Sequence, residues 1–193
     1  RFLISGLIAV ALARALGQSA RMTRPQALAV ALFGLCQNAL YLGLNFVALQ
    51  WVEAGVAVIV ASLLPLAVAL ASRILFGERL SWLGLAGLAA GFAGVIIIMG
   101  GRIEGGGVDL PGLALLLLGL LSLVAATLLL RDSLPKRDLL MMVGLQMLAG
   151  SAALFPAALL FDDWQVSWTV TMGAAFIYTT LVPGIAATLT WFW

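Results

Sequence analysis

Apolar residues in this chain come in seven long runs with only short polar interruptions between them, a pattern that water-soluble folds do not use. A hydrocarbon core of about 30 Å requires roughly 20 apolar residues in helical conformation, because each helical residue advances the chain by about 1.5 Å. The expected spans are Phe2 to Gly17, Gln26 to Leu49, Ala54 to Phe76, Leu83 to Gly100, Leu110 to Leu130, Leu139 to Phe161 and Val170 to Trp193. With 64% hydrophobic residues, 9% charged residues and a mean hydropathy of +1.17, the 193-residue chain has too little polar surface to coat a globule in water. The expected fold class is an all-α polytopic membrane protein, a helical bundle with lipid as its main solvent. Pro25 and Pro111 fall at first-turn positions, and Ser81, Asp109 and Asp138 stand where caps are needed.

Charge placement fixes an expected orientation, since Lys and Arg are retained on the cytoplasmic side of a membrane. Arg14, Arg21, Arg24, Arg73, Arg79, Arg131, Lys136 and Arg137 gather at one set of span ends, leaving only Arg1 and Arg102 at the other. The poorer side also holds the acidic Glu53, Glu104, Asp109, Asp162 and Asp163. The first span is therefore expected to run from outside to inside. The net charge of +2 is a topological signal; no basic patch suggests nucleic acid as a partner.

Both ends of the sequence fall within hydrophobic runs, so the chain reads as a piece of a longer protein, and nothing at its start resembles a cleavable signal peptide. Gly105, Gly106 and Gly107 mark the expected boundary between two halves, residues 1–101 and 109–193. Cys36 stands alone inside a span and has no intrachain partner to bridge.

Missing residue types exclude several chemistries. Without histidine and with one cysteine, the His-containing zinc sites of membrane metalloproteases cannot be built. There is no Gly-x-Ser-x-Gly elbow and no phosphate-binding Gly-rich loop, so an enzyme is not expected and no metal or cofactor is implied. The single lysine, Lys136, lies in a loop, which leaves a retinal Schiff base no anchor within the bundle.

Small and polar residues inside spans carry the remaining information. Gly84, Gly87, Gly91 and Gly94 recur at intervals of three and four, giving the fourth span one smooth face that suits either a neighbouring helix or a second subunit in a homodimer. A weaker stripe, Gly112, Gly119, Ser122 and Ala126, is equally suited to packing and to lining a cavity. On the second span Gln37, Asn38, Tyr41 and Asn45 share one face at α-helical spacing, with Gly34 on the same side. Polar groups in hydrocarbon must find partners or face water, so these four either bind other helices or wall a substrate path. Ser122, Gln146, Tyr178 and Thr179 are the second-half candidates for that path. Most other hydroxyls, including those of Ser62, Thr127 and Ser151, are expected to bond back to their own helices. Pro65 and Pro183 sit near mid-span, where a proline frees carbonyls and permits bending.

The opening Arg1-Phe2-Leu3, the Gly-Glu-Arg-Leu of Gly77 to Leu80 and the glycine-striped helix after it resemble the EamA-type transporters of the drug/metabolite transporter superfamily. Phe155 to Phe161 followed by Asp162 and Asp163, and then Ile177-Tyr178-Thr179-Thr180, are similar to that family's second half. The resemblance implies ten helices in two five-helix repeats of opposite orientation, of which this chain would lack the first and the last two. It also implies a central cavity between the halves from which substrates are mostly exported. Where members of the family often carry a tryptophan after a serine in the sixth helix, here Leu123 follows Ser122, so substrate preference is expected to differ. Glu78 is expected to fix the turn structurally, together with Arg79 or Arg73.

With no Lys or Arg deep in a complete span, multiply anionic substrates fit poorly. The resulting expectation is a secondary carrier in a bacterial inner membrane that exports a small neutral or zwitterionic metabolite, an amino acid or related compound, by alternating access. The alternative is a non-transporting membrane scaffold whose polar spans only bind neighbouring helices.

Overall fold

The computed structural model describes residues 1–104, 109–133, 137–161 and 169–182, and the regular structure among them is helical. The helices are α1 (Phe2–Ala15), α2 (Arg24–Gly34), α3 (Gly43–Ala48), α4 (Ala54–Ser62), α5 (Leu64–Phe76), α6 (Trp82–Glu104), α7 (Leu110–Leu130), α8 (Leu139–Phe161) and α9 (Val170–Leu181). A π-helical segment, Leu35–Leu42, joins α2 to α3. Five stretches are long and apolar enough to cross a membrane: Arg24–Ala48, Ala54–Phe76, Trp82–Gly101, Leu110–Leu130 and Leu139–Leu160.

Among the described residues, the first and seventh expected spans contain the shorter apolar helices Phe2–Ala15 and Val170–Thr180. At about 1.5 Å per residue, the 14 residues of α1 cover about 21 Å, less than the hydrocarbon thickness. Pro183 and the threonines at 188 and 190 lie outside the described residues, as do Gly105 to Gly107, Lys136, Asp162 and Asp163.

Local chemistry accounts for several boundaries. Thr23 and Gln26 form a reciprocal capping box that spans Pro25 and meets two donors that α2 would otherwise leave open at its start. Ser81 accepts from the Gly84 amide at 3.1 Å, as its position predicts. Asp109 occupies the cap position of α7 without a side-chain bond, and Asp138 adopts a φ of 54°, so neither caps in the way expected. The start of α8 instead takes help from a distance: Gln18 Oε1 accepts from the Met141 amide at 3.0 Å. Around Pro65 the span is interrupted at Leu63, between α4 and α5, because the proline ring removes a donor and crowds the preceding turn. By contrast, α8 runs on through Pro156.

Two compact units divide the chain, Arg1–Ala39 with Asp132–Trp193, and Leu40–Arg131. In the first, α1 lies along α8, burying Ser5, Ala9 and Ala13 at four-residue spacing, with Gly6 beside them, against Leu140, Met141, Gly144 and Leu148. Lipid gives no hydrophobic gain for such pairing, so the small side chains matter because they let two backbones make dispersion contacts. Ser5 Oγ donates to the Thr180 carbonyl at 3.2 Å and so ties α1 to α9. The second unit is built on α7, whose Leu116, Leu120, Val124 and Leu128 pack with Ala48, Val52, Val56, Val60 and Met99.

Candidate functional site

Within the first unit α2 and its π-helical continuation cross α8 at very short range. A Cβ added to Gly34 would collide with the backbone of Gln146, and one added to Gly150 would collide with the Cβ of Asn38. Only glycine at both positions allows this approach. The approach brings the Asn38 amide to 3.2 Å from the Gln146 carbonyl, where it donates a hydrogen bond between helices. Asn38 is 2% exposed and Gln146 6% exposed. Among the described residues, the buried Gln146 Oε1 has no donor. An acceptor left unmet in a buried site costs about 1–3 kcal/mol, so this oxygen is a place where an incoming N–H or O–H would be favoured.

The second unit treats its amide differently. Asn45 donates to the Tyr41 carbonyl of its own helix at 2.6 Å. Tyr41 and Asn45, both half-buried, lie against Gly119 of α7, where an added Cβ would stand 3.2 Å from the Tyr41 carbonyl oxygen. Gly112 is as tightly placed, with Val52 Cγ1 2.7 Å from its potential Cβ, so the weaker stripe of α7 is a packing face.

The single polar face expected for Gln37, Asn38, Tyr41 and Asn45 assumed α-helical rotation throughout. Three of the four lie in the π-helical segment, whose hydrogen bonds skip one more residue and whose side chains therefore fan out at a smaller angle per residue. Asn38 turns to α8 of the first unit, Tyr41 and Asn45 belong to the second unit, and Gln37 is half-buried. Among the second-half candidates, Gln146 joins Asn38, Ser122 is half-buried on α7, Tyr178 is 61% exposed, and Thr179 bonds back to the Ala175 carbonyl at 2.8 Å. Thr180, next in sequence, is buried. Ser62, Thr127 and Ser151 bond to carbonyls three or four residues back in their own helices, as expected of hydroxyls in apolar surroundings.

The turn before α6 and the glycine stripe on α6 have the following surroundings. Glu78 pairs with neither Arg73 nor Arg79: its Oε1 accepts from the Arg131 guanidinium at 2.8 Å, and Arg131 also lies over the Phe76 ring at 4.7 Å. The bridge ties the α5–α6 turn to the end of α7, a link between residues far apart in sequence that spacing alone could not reveal. Of the four stripe glycines, Gly91 meets the side chain of Leu66; among the described residues, Gly84 meets only its own turn, and Gly87 and Gly94 have nothing within 4 Å of a potential Cβ.

What sequence reasoning missed was the role of Gly6, Gly34, Gly144 and Gly150 as contact points. The recurrence of Ser5, Ala9 and Ala13 every fourth residue was a readable signal for the α1 face. No comparable repeat flags Gly34 or Gly150, whose meaning comes from the helix opposite.

No curated protein and no solved structure matches this chain. The model of the EamA-like transporter family matches residues 1–100, just over half of the 193 residues, a stretch that includes Asn38, Tyr41, Asn45 and the Gly77 to Leu80 turn. Apolar helices of membrane-crossing length and this match agree that the chain is an integral membrane protein belonging to the EamA-like transporter family.

Proposed function

We propose that the chain is part of a secondary transporter that exports a small neutral or zwitterionic metabolite, such as an amino acid, across a bacterial inner membrane by alternating access. Residues 1–101 and 109–193 are read as portions of two inverted repeats. The observation that carries the substrate class is the buried Asn38–Gln146 crossing with its open acceptor at Gln146 Oε1. Amides can satisfy ammonium and hydroxyl donors, and among the described residues neither Asn38 nor Gln146 bonds to a cationic side chain that would favour a multiply charged anion. Pro65, at the break between α4 and α5, is the proposed hinge, because the carbonyls freed there tolerate a change in bend.

Export of labelled amino acids from loaded cells, measured beside thermal stability, tests the reading through Gln146→Leu. That replacement removes a buried acceptor without a partner, so stability is expected to hold or rise while export falls at least tenfold. Unchanged export at normal expression would refute the assignment. The scaffold alternative draws on a specific fact, that the side-chain amides of Asn38 and Asn45 both bond to backbone carbonyls. It predicts that Gln146→Leu changes stability alone.

A further inference from the structure

The turn between α5 and α6 encloses a second site whose chemistry is unlike that of the amide crossing. A pocket of about 480 Å³ opens there, lined by Arg73, Gly77, Glu78, Arg79, Trp82 and Leu85. Gly77 closes α5 in the left-handed conformation at a φ of 66°, with open space where a side chain would stand, so the chain turns sharply and keeps the hollow clear. Glu78 would cancel one positive charge, but its carboxylate is engaged by Arg131 at 2.8 Å. Among the described residues, the guanidiniums of Arg73 and Arg79 have no acidic partner. Two uncompensated arginines therefore share the pocket with an indole that is 87% exposed.

Each component suits one ligand chemistry. A guanidinium presents a planar set of donors that matches phosphate oxygens, and two of them balance a phosphate better than any neutral solute. Trp82 and Leu85 supply an apolar rim at the end of a membrane-crossing helix, the level at which indoles settle between headgroups and acyl chains. We propose that this pocket binds a phosphate-ester anion, seated between Arg73 and Arg79. Two sources share that chemistry, the headgroup of an anionic phospholipid and a free phosphate. On the orientation expected from the charge distribution the pocket opens to the cytoplasmic leaflet, where basic pockets between helices hold anionic headgroups.

The test uses the purified chain reconstituted into vesicles of equal parts phosphatidylglycerol and phosphatidylcholine, re-extracted in mild detergent, with retained lipid quantified by mass. In parallel, thermal unfolding is followed in sodium phosphate and in sodium chloride of equal ionic strength. Phosphatidylglycerol is expected to be retained over phosphatidylcholine. The R73Q/R79Q double variant should lower that preference by about thirty-fold, from about a factor of five per arginine near a membrane surface. The charge-retaining R73K/R79K should restore most of it, which separates loss of charge from loss of fold. A phosphate-specific stabilisation that vanishes in R73Q/R79Q, without lipid preference, supports the same site with free phosphate as its ligand. R14Q/R21Q removes two arginines outside the pocket, so it should leave the phosphate stabilisation unchanged and lower the lipid preference by clearly less than R73Q/R79Q does. An equal loss in R14Q/R21Q, or the absence of both lipid preference and phosphate stabilisation in the unaltered chain, would overturn the proposal.

Discussion

Glycine serves opposite ends in two regions of this molecule. Where α2 meets α8, Gly34 and Gly150 stand with a facing backbone or Cβ inside the space a methyl group would need. Along α6, Gly87 and Gly94 are as regularly spaced as any packing motif, yet among the described residues nothing lies within 4 Å of a Cβ placed at either. Spacing describes only the shape of a helix face. Whether that face is occupied depends on a second helix, whose position the stripe itself does not encode.

The largest effect that could break this contrast is expected at the crossing. Gly34→Ala or Gly150→Ala forces backbone atoms apart and should destabilise the protein by about 3 kcal/mol or more, read as a lowered denaturation midpoint in detergent. The same changes should also abolish the Asn38 hydrogen bond, because a bond of 3.2 Å does not survive a further separation of the helices. Normal stability in both variants would mean that the close approach is not real.

The smallest effect is expected on α6. Among the described residues, Gly91→Ala meets only the movable end of Leu66, at 2.8 Å, and Gly87→Ala and Gly94→Ala meet nothing within 4 Å. All three should fall within about 0.5 kcal/mol of the unaltered protein or gain slightly, since alanine favours helix over glycine by up to about 1 kcal/mol. A loss above about 1 kcal/mol at Gly87 or Gly94 would sharpen the comparison, showing that another helix or a second copy of the chain occupies this face.

Much of the helical framework was legible because apolar runs of fixed length are an unambiguous signal in lipid. The break at Pro65, the first-turn prolines and the self-bonding hydroxyls follow from local chemistry and were equally legible. Three features were not. The π-helical segment has no compositional mark, since Leu35–Leu42 reads just as well as α-helix. The Glu78–Arg131 bridge and the Gly34–Gln146 approach join residues distant in sequence, and single-chain spacing is silent on such pairs. Of the candidate site, the identities of Asn38 and Gln146 could be picked out because amides are costly in hydrocarbon; that they meet each other could not.

The proposed transport requires the Asn38–Gln146 crossing to become wet during function, whereas a scaffold would keep it a dry contact between helices. In a Cys36→Ala background, Gln146→Cys can be treated in membrane vesicles with a charged, water-soluble thiol reagent, with and without a pool of amino acids. The account predicts modification of the thiol and slower modification when the amino acids are present. A thiol that stays unreactive until the protein is denatured, in vesicles of either orientation, would contradict it.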